Sequence, residues 1–154
     1  MSVRDTDRPL SNGVDHIGVC CVFFCHDGNG RLLLHKRSAK CRDEQGRWDC
    51  GGGAIEFGED IEAAVRREVW EEFGVNPEEV TMVATTNVLR DNHGTATHWI
   101  ALVHAVRVNP AQVKNCDCEK IEELKWFLPG EFPEPRHTMF DQHYDLVRHL
   151  IEGQ

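Results

Sequence analysis

Residues 51–74 constrain this chain most, because three consecutive glycines, Gly51 to Gly53, run into a stretch whose apolar residues recur at helical spacing. Val65, Val69 and Phe73 stand at i, i+4 and i+8, the stripe of an amphipathic helix expected from Glu59 to Phe73, and Gly74 is a helix-ending residue. Glu59, Asp60 and Glu62 crowd the first turn, where the positive end of the helix dipole favours them. Glu68, Glu71 and Glu72 lie at i, i+3 and i+4, so three carboxylates leave one face within a turn. Their repulsion costs on the order of 0.2–0.5 kcal/mol per neighbouring pair, which a bound divalent cation would more than reverse. A solvated acidic face is the commoner meaning of such a helix. The glycines shift the balance, because a flexible Gly-rich turn at the acidic end lets main-chain groups approach a ligand and offers a carbonyl as another hard oxygen.

Around this segment the pattern alternates between strands and helices. Val14 to Cys25 and Arg31 to Arg37 read as two strands around Asp27-Gly28-Asn29-Gly30, and Ser38 to Arg47 as a polar surface loop. Val80 to Leu89 and His98 to Val108 read as strands joined by a polar connection, Arg90 to Thr97, with Ile121 to Phe127 as another strand. Thr138 to Ile151, with Phe140, Leu146 or Val147, and Leu150 at helical spacing, reads as a closing helix. The expectation is a mixed α/β domain over residues 13–154, preceded by a flexible polar segment over residues 1–12.

At 154 residues and 40% hydrophobic content, such a domain can bury a core without disulfides. Nothing in the sequence resembles a signal peptide or a membrane span, so a cytoplasmic location is expected. Seven cysteines are an odd number for a disulfide framework, and Cys116-Asp117-Cys118 lacks the partner motif that a zinc site needs. A formal net charge of −9, from 26 acidic against 17 basic residues, argues against a nucleic acid polymer as partner. A small anion remains compatible if a metal neutralises it locally.

Gly53, Glu59, Arg67-Glu68-Val69, Glu71-Glu72 and Gly74-Val75 resemble, at every specified position, the Nudix box G-x5-E-x7-R-E-U-x-E-E-x-G-U, where U is aliphatic. The resemblance implies an α/β/α sandwich around a mixed curved sheet and a magnesium-dependent pyrophosphohydrolase, with manganese as a substitute ion. It also implies Glu68 and Glu72 as metal ligands, Glu71 as a third ligand or its close neighbour, and the Gly52 carbonyl as a main-chain ligand. Arg67 would orient the glutamates, Gly53 would let substrate approach, and Arg37 would hold phosphate; Lys36 alternates to the other face of its strand. The family commonly has Pro-Gly-Gly where this chain has Gly51-Gly52-Gly53, so a more mobile loop is expected.

The base that activates water varies within the family; Glu68, or an acid among Glu119, Glu122 and Glu123, is the candidate here. His93, His98 and His104 have no ligand spacing and read as core or rim. Trp126 reads as core, and Trp99 as a packed strand residue that could stack on a base. Ile55-Glu56-Phe57-Gly58-Glu59, Trp70 and the late Glu-Trp segment look most like small nucleoside-triphosphate pyrophosphatases, so a small-molecule nucleotide is the expected partner. A nucleotide-sugar hydrolase with a pocket deepened by Arg90 to Thr97 stays open, as do a non-catalytic binding module and a homodimer.

Overall fold

β1 (Gly18–His26) carries Cys, Val or Phe at most positions, a composition suited to a strand covered on both faces. In the computed structural model, which describes residues 8–153, it is so covered. Cys21, Phe23 and Cys25 turn to one face, where they meet Val65, Val69 and Phe73 of α1 (Ile61–Phe73). Phe24 turns to the other, towards Phe140, Tyr144, Val147 and Ile151 of α2 (Phe140–Ile151). Each fully buried side chain of this size contributes roughly 1.5–3 kcal/mol, so these two interfaces fix both helices on the sheet.

The remaining strands are β2 (Leu32–Arg37), β3 (Trp48–Asp49), β4 (Gly51–Ala54), β5 (Glu79–Asn92), β6 (Thr95–Arg107) and β7 (Ile121–Phe127). The path runs β3-β2-β1-β6-β5, with β4 on β1 and β7 on β2. β1 and β6 are parallel and the other pairs antiparallel, giving the expected sandwich of two helices about a mixed sheet. No helix among the described residues is long and apolar enough to cross a membrane. All seven cysteines are free thiols.

Three expectations need correcting. The glycines do not form a loop: Gly51–Ala54 is strand, paired residue for residue with β1 from Phe23↔Gly51 to Cys20↔Ala54. Arg90 to Thr97 is not a polar connection either, because β5 and β6 remain paired to Asn92↔Thr95 and turn over His93 (φ 51°) and Gly94 (φ 88°). Two successive positive φ values match the twist of a tight hairpin, and the polar residues before them follow from a tip that reaches into solvent. Helix α1 begins at Ile61 rather than Glu59, since Asp60 is its cap and accepts from the Ala63 amide at 3.1 Å. Of the presumed flexible lead, residues 1–7 lie outside the described residues. Arg8 is tied to Asp15 by two bonds of 2.7 and 2.6 Å.

Candidate active site

Burial of the Val65, Val69 and Phe73 stripe fixes how α1 rotates, and that rotation sets Glu68 and Glu72 at the edge of the helix–sheet interface. Glu71, one position further round, is exposed. Arg67 forms the hub of the carboxylates. Its Nε and Nη2 donate to Glu59 at 2.7 and 2.9 Å, and its Nη1 donates to Glu68 Oε1 at 2.9 Å and Glu71 Oε2 at 3.3 Å. Its Nη2 also reaches the Ala54 carbonyl at 3.3 Å, so one guanidinium ties helix to strand.

Each glycine of β4 has its own steric reason. A Cβ on Gly51 would lie 2.1 Å from the Phe23 ring, one on Gly52 2.7 Å from the Cys21 carbonyl oxygen, and one on Gly53 2.2 Å from the Glu68 carboxyl carbon. Gly53 is therefore bare because Glu68 rests on it. The Ile55 amide donates to Val19 O at 2.9 Å, so in this antiparallel pair residues 51, 53 and 55 bond to β1. Residues 52 and 54 face the open edge; the Ala54 carbonyl is found there by Arg67, and the Gly52 carbonyl projects on the same edge.

That edge borders a cleft of about 630 Å³ lined by Glu68, Glu71, Glu72, Asp117 and Arg37. Burial, with the charges of Glu68, Asp49 and Asp117 adding, pushes the Glu72 carboxyl well above its usual range, and its Oε2 is buried with no hydrogen-bond partner. Burial also raises Glu68, against the pull of Arg67. Among the described residues no three acidic, His or Cys side chains already converge as ligands; Arg67 draws Glu68 and Glu71 to itself. The donor set nevertheless fits magnesium: carboxylates and a carbonyl, all hard oxygens, with one carboxylate oxygen still lacking a partner.

Across β4 a second pocket, about 240 Å³, opens towards α2 and shares Arg37, Gly52 and Glu72 with the cleft. Trp99 forms one wall, its indole wedged against Gly13 and Gly18, where a Cβ would lie 2.2 and 2.5 Å away. His143, held by Thr86 Oγ1 at 2.8 Å, and Asp49 also line it. Burial would raise Asp49, but His137, His35 and Arg37 together hold it below the ordinary carboxylate range.

The structure brings together Gly52, Gly53, Glu68, Glu71, Glu72 and Arg37, with Arg67 behind them. It does not bring Glu119 or Glu122 to the cleft: Glu119 is exposed 3.9 Å from Lys40, and Glu122 is exposed 4.0 Å from Lys36. Glu123 pairs with Lys125 at 3.0 Å. The acidic side chain that this segment does contribute to the cleft is Asp117. Arg37 is largely committed, donating to the Asp43 carboxylate at 2.8 Å and carbonyl at 3.1 Å. His98 bonds Asn87 at 2.5 Å and His104 is buried on Leu102 O, while Trp126 lies under Arg31 beside the core. Asp49, Asp117, Arg90 and His143 were not legible as site residues, since nothing in their local sequence marks them.

The family described as NUDIX domain matches residues 14–150. Over 106 residues, 69% of this chain and 60% of the relative, the sequence is 31% identical to a MutT-like protein of Streptomyces ambofaciens. Over 68 residues, 44% of this chain and 40% of the relative, it is 40% identical to an RNA pyrophosphohydrolase of Roseobacter denitrificans. The matched region thus spans less than two thirds of either relative. The crystal structure of a MutT NUDIX hydrolase from Burkholderia pseudomallei superposes with a TM-score of 0.75 at 28% identity, over 86% of this chain and 98% of that one. The NUDIX domain of Shewanella oneidensis NrtR, complexed with ADP ribose, shares the fold with a TM-score of 0.69 at 18% identity, over 92% and 90%. The box residues around one carboxylate cleft and a family match across nearly the whole chain lead to one conclusion: this chain belongs to the NUDIX domain family.

Proposed function

We propose that this chain hydrolyses a phosphoanhydride bond of a nucleotide, with a nucleoside triphosphate cut to monophosphate and pyrophosphate as its preferred reaction. The observation that carries the reading is Glu72, whose unpartnered carboxylate oxygen sits between a cleft of acidic residues and a pocket walled by Trp99. The relative named RNA pyrophosphohydrolase supports the same bond type.

Glu68 and Glu72 would hold magnesium, or manganese in its place, with Glu71 and the Gly52 carbonyl beside them. Bound there, the ion supplies charge neutralisation for the phosphates and a more acidic water. The protein's own part is positional. Arg67 holds Glu68 by Oε1, leaving Oε2 for the cleft. Gly53 gives that carboxylate its seat. The organic part of the substrate would lie across β4, with its ring against Trp99 and its polar groups facing Asp49 and His143.

A second reading, a nucleoside diphosphate carrying a sugar, is favoured by a polar recess of about 160 Å³ at the β5–β6 tip. Asn92, Thr95 and Thr97 line it beyond Trp99. A panel of nucleoside triphosphates, nucleotide sugars and a 5′-triphosphorylated oligonucleotide, scored with magnesium for monophosphate, pyrophosphate and phosphate, separates the readings. Triphosphates are expected to be cut fastest, and Glu72→Gln to lower turnover at least about a hundredfold with the fold intact. Faster cleavage of nucleotide sugars would overturn the substrate, and full activity in Glu72→Gln the role of that carboxylate.

A further inference from the structure

Arg42 stands where the cleft, the Trp99 pocket and the hairpin-tip recess meet, and lines all three. An anionic chain entering an acidic cleft needs a cation whose charge is not already spent on protein carboxylates. Most basic residues nearby fail that condition. Arg37 is bound to Asp43 and lies 3.9 Å from Asp49, Arg90 is bound to Asp43 and Glu44, and Lys40 stands 3.9 Å from Glu119. Lys120 is uncommitted but reaches the cleft alone. Among the described residues Arg42 has no hydrogen bond or ion pair, and it is exposed.

Its backbone, by contrast, is held on both sides. Cys41 is buried, with its thiol on Lys120 O at 3.3 Å and its amide on Ser38 O at 3.2 Å. Asp43 is clamped by Arg37 and Arg90, and Glu44 by Arg90, His137 at 2.8 Å and the Thr138 amide at 2.8 Å. A free guanidinium on a fixed backbone, at the crossing of the clefts, has the geometry of a phosphate receiver.

We propose that Arg42, rather than Arg37, binds the substrate's phosphate chain where it passes from the glutamate cleft to the Trp99 pocket. Arg37 instead holds the loop that presents it. The inference deepens the phosphoanhydride reading and rests on it for the substrate, yet it concerns phosphate binding that can be measured without turnover.

The test compares Arg42→Ala and Arg42→Lys with the unaltered protein in three assays: steady-state kinetics on a nucleoside triphosphate, calorimetric binding of magnesium tripolyphosphate, and thermal unfolding. Arg42→Ala is expected to raise KM, and to weaken tripolyphosphate binding, about tenfold or more, with a smaller fall in kcat. Arg42→Lys should recover part of this, because charge remains while the fork is lost. The unfolding temperature should not move. Unaltered KM and tripolyphosphate affinity in Arg42→Ala, a loss that tracks a fall in unfolding temperature, or failure of the unaltered protein to bind tripolyphosphate would each overturn the proposal. A protein that binds tripolyphosphate through Arg42 but cleaves no nucleotide would instead refute the proposed function and leave this inference standing.

Discussion

Replacing Gly53 with alanine should separate catalysis from folding. The added Cβ would lie 2.2 Å from the Glu68 carboxyl carbon and 2.3 and 2.6 Å from its oxygens. Ordinary contact begins at 3.4 Å, so the carboxyl must retreat by about 1 Å (3.4 − 2.2 Å). Displacing a catalytic group by about 1 Å costs on the order of a hundredfold in rate. Stability should change by only about 1 kcal/mol, because the clash is with the end of a side chain that can swing, and for a domain of this size that is roughly 2–4 °C. Gly51→Ala is the control: its Cβ would enter the Phe23 ring at 2.1 Å inside the core, where overpacking costs about 1–3 kcal/mol. The assay pairs kcat/KM on a nucleoside triphosphate with the unfolding temperature. If Gly53→Ala keeps kcat/KM within about threefold of the unaltered protein, Glu68 does not need the seat that the structure gives it.

Glu72 carries a raised pKa in the folded protein, so its contribution to stability is present below about pH 4.5 and is lost as pH rises through the folded value. In a chelator the unfolding temperature should therefore fall relative to Glu72→Gln as pH rises above about 4.5, and magnesium should close the gap; parallel curves would refute this. Burial would raise Glu44, but hydrogen bonds from His137 and Thr138 outweigh it and hold the carboxyl down to about 2. Its contribution is present above about pH 4.5 and lost as pH falls towards 2, so Glu44→Gln should flatten the acid limb of the unfolding curve. Arg67→Lys cannot span Glu59, Glu68 and Glu71 with one ammonium, and a drop of at least about tenfold in kcat/KM is expected. Retention of full activity would show that the guanidinium fork is dispensable.

The helix and its carboxylates were legible because they are local: periodicity places Val65, Val69 and Phe73 inward, and the same spacing then determines where Glu68 and Glu72 must be. The glycine strand is not legible in the sequence because glycine marks turns and close approaches alike, and only the cross-strand partners Phe23 and Cys21 and the helical Glu68 distinguish them. Polarity likewise hid the continuation of β5 and β6 to their tip, since strand pairing there needs no apolar face. Asp49, Asp117, Arg90 and Arg42 come from four separated segments, so their meeting is a property of topology that no local spacing encodes. Glu119 and Glu122 show the converse, acids near the site in sequence whose side chains turn to lysines on the surface.

In the proposed reaction Glu72, Glu68 and the Gly52 carbonyl form the seat of a divalent cation facing the substrate's phosphates. Anomalous diffraction from crystals soaked with manganese and a non-hydrolysable nucleoside triphosphate measures this directly. Manganese peaks are expected within ligand distance of Glu68 and Glu72, with the phosphate chain alongside. Manganese bound elsewhere, or a nucleotide whose phosphates avoid these glutamates, would contradict it.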